Sequence, residues 1–200
     1  MTGARPRQRR ESFAERKERR AAVDDPAVVL EAAARFLEAR SRSVHEVRRR
    51  LGGAGYRADL VEGAIARMTE LGMLDDESFA RAWVESRDRA RPRGERAIRE
   101  ELRLKGVDRE TIDLVIGERR ERAAAAAESA AEAGDAAPAS ADRTAAERLL
   151  AKNARALARV ADPRQRRQRA YALLARHGFD PETCREVAAT VVDAPDDGPD

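Results

Sequence analysis

The chain has 200 residues, 38% of them charged and only 4% aromatic, so its core must be built from Leu, Val, Ile and Ala, which argues against a large β-sandwich. A single cysteine, Cys184, and two distant histidines, His45 and His177, exclude an internal disulfide and a structural zinc site. No run nears the ~18 apolar residues of a membrane helix, and no apolar core follows the basic start, so a soluble cytoplasmic protein is expected.

With 40 basic against 37 acidic residues the net charge is only +3, and any signal for an acidic partner must lie in placement. Residues 1–22 carry eight Arg or Lys against three Glu, and the last eight residues carry four Asp and no base. Both ends lack an apolar pattern and are expected to be mobile tails.

Helix punctuation predicts nine helices, near 26–39, 43–52, 57–71, 76–90, 94–105, 109–132, 143–160, 163–177 and 181–192. Asp25-Pro26, Asp162-Pro163 and Asp180-Pro181 each place an N-cap aspartate before a proline whose missing N–H is no loss at the first helical position. Ser43 to Glu46 has the form of a capping box, and Gly52, Gly53 and Gly55 close one helix, Gly72 the next, and Gly106 and Gly178 two more, where a left-handed residue is wanted.

Alignment on Gly55, Gly106 and Gly178 exposes a repeat. Leu51, Leu102 and Leu174 lie four residues before each glycine, and Val47, Ile98 and Ala170 eight before. Val61, Ile112 and Cys184 follow at six, and Ile65, Ile116 and Ala188 at ten. The same register pairs Val28 with Phe79 and Ala32 with Trp83, which makes Trp83 a core residue and Cys184 a buried, inert thiol. The expected fold is therefore all-α, an elongated and curved tandem array of three three-helix repeats. Its divisions are a basic disordered tail (1–24), repeat 1 (25–72), repeat 2 (73–122), an Ala-rich helix extension and linker (123–141), repeat 3 (142–192) and an acidic tail (193–200).

No phosphate-cradling loop, nucleophile–base motif or metal cluster is evident, so neither an enzyme nor a cofactor is expected. Asp75-Asp76 reads as a helix start, and Glu100-Glu101 as an exposed face among arginines. The remaining signal is basic: nine Arg or Lys against five acids over 81–105, and seven Arg against one Asp over 155–176.

Two stretches of repeat 2, Leu71 to Val84 and Arg93 to Val107, resemble the signature of the RecX family of regulatory proteins, and Ser41 to Leu51 resembles its first-repeat motif. The resemblance covers about residues 26–190 and is strongest over 40–116. It implies tandem three-helix repeats and a non-enzymatic role: binding the RecA recombinase filament on single-stranded DNA and damping its ATPase, strand-exchange and co-protease activities in recombination, DNA repair and the SOS response. A monomer with no membrane contact and a weak direct contact with DNA is expected. The polar members Arg81, Arg87, Arg93, Arg96, Arg99 and Lys105 are the candidate filament-facing or DNA-facing residues. The alternative is a direct DNA-binding protein whose helix pairs act as helix-turn-helix units.

Overall fold

The computed structural model describes residues 11–133 and 140–191. Among them all regular structure is helical: α1 (Phe13–Ala21), α2 (Pro26–Glu38), α3 (Val44–Ala54), α4 (Ala58–Glu70), α5 (Asp76–Ala90), α6 (Glu95–Leu104), α7 (Arg109–Glu132), α8 (Ala141–Ala158), α9 (Pro163–Arg176) and α10 (Pro181–Thr190). Each of the nine expected helices is present, with its ends within two residues of the punctuation. Residues 1–10, most of the linker and the acidic tail lie outside the described residues.

The tenth helix corrects the expected basic tail. Ser12 accepts from the Glu15 N–H while Glu15 reaches back to the Ser12 N–H, a complete capping box that starts α1 within a segment with no buried residue of its own. The helix is seated against the end of α3. Arg20 lies 5.7 Å from the centre of the Tyr56 ring, and a Cβ on Gly55 would sit 2.6 Å from Lys17 Cγ and 2.8 Å from its carbonyl oxygen. Gly55 also has φ +104°, so the helix end and the α1 contact both demand glycine.

Each repeat has its own apolar cluster. Val29, Ala33, Val47, Leu51, Val61 and Ile65 anchor the first; Ala80, Val84, Ile98, Leu102, Ile112 and Ile116 the second; Ala170, Leu174, Cys184 and Ala188 the third. All twelve residues that the register places before and after the three glycines are buried. One pairing is corrected: Val28 is 41% exposed, and the 51-residue offset is carried instead by the buried pairs Val29/Ala80 and Ala33/Val84. Burial pushes the Cys184 thiol pKa up, and its Sγ lies 3.7 Å from the Phe179 carbonyl, as suits an inert core thiol.

The residues up to Asp76 form one compact unit and those from Glu77 a second, which holds repeats 2 and 3 together. The positions where repeat 2 departs from repeat 1 explain why. Ser43 and Glu46, the capping box of α3, become Gly94 and Ala97, and core residues Leu37 and Met68 become Asp88 and Arg119. All four replacements meet repeat 3. The Gly94 N–H donates to the His177 carbonyl at 3.0 Å, and Ala97 lies against Gly178. Arg119, 3% exposed, bonds both Asp88 and Asp142. α6 has lost its own side-chain cap, and Asp142 supplies one by accepting from the Glu95 N–H at 3.0 Å. Repeat 1 uses the same device, since Asp76 accepts from the Val44 N–H at 2.8 Å. Lys152 closes the end of α5 by donating to the Ala90 carbonyl at 2.7 Å. The Ala-rich stretch extends α7, and Ala126 and Ala130 flank a groove of about 370 Å³ whose other wall is α8.

The caps set an acid limit. The Asp108 carboxyl is held below its ordinary pKa chiefly by the Thr111 N–H, and Asp180 likewise by Thr183 despite partial burial. A lowered carboxylate stabilises the fold above its unfolded pKa of ~3.9 and loses that contribution as pH falls through the folded value. The urea midpoint is expected to fall below about pH 4, and Asp180→Ala to lower stability by ~1 kcal/mol at neutral pH with a smaller loss in acid.

Candidate interaction surface

The six basic residues singled out by sequence lie on α5, on α6 and in the turns beside them, but they do not make one free cationic patch. Arg81 is clamped by Glu118, at 2.7 and 2.9 Å, and by Glu77, which raise its pKa further. Arg87, 13% exposed, pairs with Glu101 at 2.5 Å, and Arg93 approaches the same carboxylate at 3.5 Å. Partial burial works against the charge of Arg99, yet its bonds to Glu95 and Asp113 outweigh that and raise its pKa. Lys105 lies over the Trp83 ring, 5.0 Å from its centre. Only Arg96 among the six is exposed with no ion pair among the described residues.

Trp83 is not the core residue expected from its repeat position. It is half-buried at the rim of the second cluster, with its ring 5.8 Å from Phe79 and its Nε1 donating to Glu101 at 2.8 Å. Arg87 covers the ring at 4.2 Å, so the indole is enclosed by two cations and one carboxylate. Repeat 1 builds a related cluster, with Arg42 4.3 Å and Arg50 5.7 Å from the Phe36 ring. Because part of the Trp83 ring meets water, Trp83→Ala is expected to lower stability by ~2 kcal/mol, below the ~3–5 of a fully buried indole, as read by urea unfolding.

The unpaired Arg96 opens onto a groove of about 430 Å³ between α6 and α9, whose walls carry Arg99, Arg103 and Arg176 against the single carboxylate of Glu100. Arg176 donates to the Ala172 carbonyl and keeps its charge uncompensated by any acid among the described residues. The sequence reading missed Arg103 and Arg176. The first was legible, since 96, 99, 100 and 103 share one helical face; the second comes from another repeat and needs the Gly94–Gly178 contact to reach the site. No group of His, Cys, Asp and Glu among the described residues could hold a metal ion.

Comparison with known proteins agrees with this architecture. Family models of the first, second and third three-helix domains of RecX match residues 30–68, 75–116 and 141–188, in that order. The chain belongs to the RecX family. The regulatory protein RecX of Mycolicibacterium vanbaalenii is 44% identical over 79 residues, 40% of this chain and 43% of that protein. RecX of Mycobacterium sp. strain JLS is 42% identical over 94 residues, 44% of this chain and 51% of its own. The matched segment thus spans about half the length of these curated RecX relatives. Among solved structures, RecX from Lactobacillus salivarius superposes with a TM-score of 0.65 at 16% identity, over 86% of this chain and 99% of that one. A second RecX crystal structure gives 0.62 at 17% identity, over 88% and 72%. These two likenesses show the RecX fold. Among the described residues no helix is long and apolar enough to cross a membrane.

Proposed function

We propose that this RecX-family chain regulates the RecA recombinase by binding the RecA filament on single-stranded DNA, and that it acts as a cytoplasmic monomer by occupancy rather than catalysis, with no cofactor. The observation that carries this reading is the ordered succession of three RecX three-helix domains. A regular filament offers the same acidic or polar features again and again, so modest contacts from successive repeats add as one multivalent attachment. The junction between repeats 2 and 3 supports this, because it holds their surfaces in one fixed relation within the second unit.

Arg81, Arg87, Arg93, Arg96, Arg99 and Lys105 remain the proposed contact residues of repeat 2, with Arg96 foremost. The ion-paired members can reach a partner only by exchanging Glu95, Glu101, Asp113 or Glu118 for one of its carboxylates or phosphates.

The test is the single-stranded-DNA-dependent ATPase of RecA titrated with the full chain. Suppression at substoichiometric ratios is the expected result, and no suppression at equimolar protein overturns the proposal. Arg96→Glu with Arg176→Glu reverses two exposed charges that hold no ion pair and is expected to raise the half-inhibiting concentration by about tenfold with an unchanged thermal midpoint, since a desolvated charge contact is worth ~1.5–3 kcal/mol. Unchanged inhibition removes the α6–α9 groove from the interface.

A further inference from the structure

The geometry points to a second site in repeat 3, the groove between α9 and α10, as a binding site for an unpaired nucleic-acid strand that works without RecA. α9 carries five arginines and no acid, and none of the five forms an ion pair among the described residues. Arginines of α5, α6 and α7 such as Arg81, Arg87, Arg99 and Arg119 are by contrast held by carboxylates. Arg164 and Arg166 stand in the first turn of α9, where the helix dipole disfavours cations and acids are the ordinary choice. The fold therefore keeps charge where it lowers helix stability, which is what a surface built for an anionic ligand requires.

The groove has a volume of about 410 Å³ and is lined by Arg164, Arg167, Gln168 and Tyr171 from α9 and by Arg185 and Ala188 from α10. No carboxylate lines it. Positions 164, 167, 168 and 171 follow one helical face, over a rise of ~10 Å. Glu186, next to Arg185 on α10, lies 3.9 Å from Arg143 of α8, a partner outside the groove. Tyr171 is half-buried, its body packed on the third apolar cluster, so the ring is held in place among the cations.

Three guanidinium forks and one fixed aromatic ring match the two repeating features of a single strand. The forks pair with phosphate oxygens, and the ring stacks a base that is free of a partner. The Gln168 amide adds a donor and an acceptor for a base edge or sugar. A duplex keeps its bases stacked away from such a ring, and an acidic peptide has no flat group for it.

The experiment is fluorescence anisotropy of a labelled oligothymidylate of about 15 nucleotides with the full chain and no RecA, across a salt series. The variant Arg164→Ala/Arg167→Ala/Arg185→Ala is expected to bind at least tenfold more weakly at low salt. The slope of log affinity against log salt should fall by about 2, since each phosphate contact on a single strand contributes ~0.7. Arg185→Glu alone, one exposed substitution on α10, should weaken binding in the same direction. Tyr171→Leu should weaken binding with the slope unchanged, and Tyr171→Phe should bind like the parent. Equal affinity and slope for the parent and the triple variant overturn the proposal. So does a polyglutamate peptide that displaces the oligonucleotide as well as unlabelled oligonucleotide does, which would make the groove a reader of acidic protein. Failure here leaves RecA regulation standing, because that is read by ATPase suppression and by variants of the α6–α9 groove.

Discussion

Arg119→Ala is expected to lower the stability of the second unit by about 3–5 kcal/mol, because it removes the cation from a buried ionic cluster and leaves its acids behind. Arg119 Nε and Nη2 donate to the Asp88 carboxylate at 2.9–3.1 Å, and Nη1 donates to Asp142 at 2.6 Å. Burial opposes the Arg119 charge, but the bonds to Asp88 and Asp142 outweigh it and raise its pKa. Burial pushes the Asp142 carboxyl above its ordinary value, against the lowering effect of the Glu95 N–H and Arg119. A carboxyl with a raised folded pKa favours the fold most when protonated and loses that contribution as pH rises through the folded value, the reverse of the Asp108 and Asp180 caps. Without Arg119 the Asp142 pKa should rise further. The stability gap between parent and variant, read from urea unfolding, should therefore be widest at neutral pH and narrow as the solution is acidified. Arg119→Met with Asp88→Leu restores the residues that repeat 1 has at Met68 and Leu37 and removes one of the two stranded acids, so it should recover part of the loss while Asp142 stays buried without its cation.

Gly94→Ala is expected to lower stability by about 3 kcal/mol, at the upper end of ordinary overpacking. Its Cβ would lie 2.3 Å from the Gly178 carbonyl oxygen and 2.4 Å from both the Gly178 carbonyl carbon and the Phe179 nitrogen. These are backbone atoms, so no side-chain rotation relieves the clash, and the α9–α10 turn must move away from α6. Hydrogen exchange should then quicken at the Gly94 and Glu95 amides, which are bonded to His177 and Asp142. Gly117→Ala is the control: its Cβ would meet nothing within 4 Å, and the substitution should stabilise α7 by ~0.5–1 kcal/mol. Equal effects at the two glycines would show that repeat 3 is not seated on Gly94.

The repeat was legible because each copy spends the same kind of residue on the same task. Leu51, Leu102 and Leu174 fill one core position, and Gly55, Gly106 and Gly178 all adopt positive φ at a helix end. The junction between repeats 2 and 3 was equally present in the sequence, as places where that rule breaks. Met68 against Arg119 and Ser43 against Gly94 are visible at the 51-residue offset, yet a charge at a core position gains meaning only when Asp142 of the next repeat is seen beside it. α1 was overlooked because a basic composition outweighed the capping box at Ser12 and Glu15. The candidate arginines read as a basic face because their acids are distant in sequence: Glu118 is 37 residues from Arg81, and Glu101 and Asp113 are each 14 from Arg87 and Arg99. Trp83 was misjudged for a related reason, since the Glu101 and Lys105 that hold it at the rim belong to α6 and its end.

The most direct test of filament recognition compares binding of the full chain to RecA-coated single-stranded DNA with binding to the same bare strand, at about 50 and 200 mM salt. Tighter binding to the coated strand at both salt concentrations, with bare-strand affinity falling steeply between them, is the predicted result. Equal affinity for coated and bare strands, lost together as salt rises, would contradict it and leave a nucleic-acid binder with no preference for RecA.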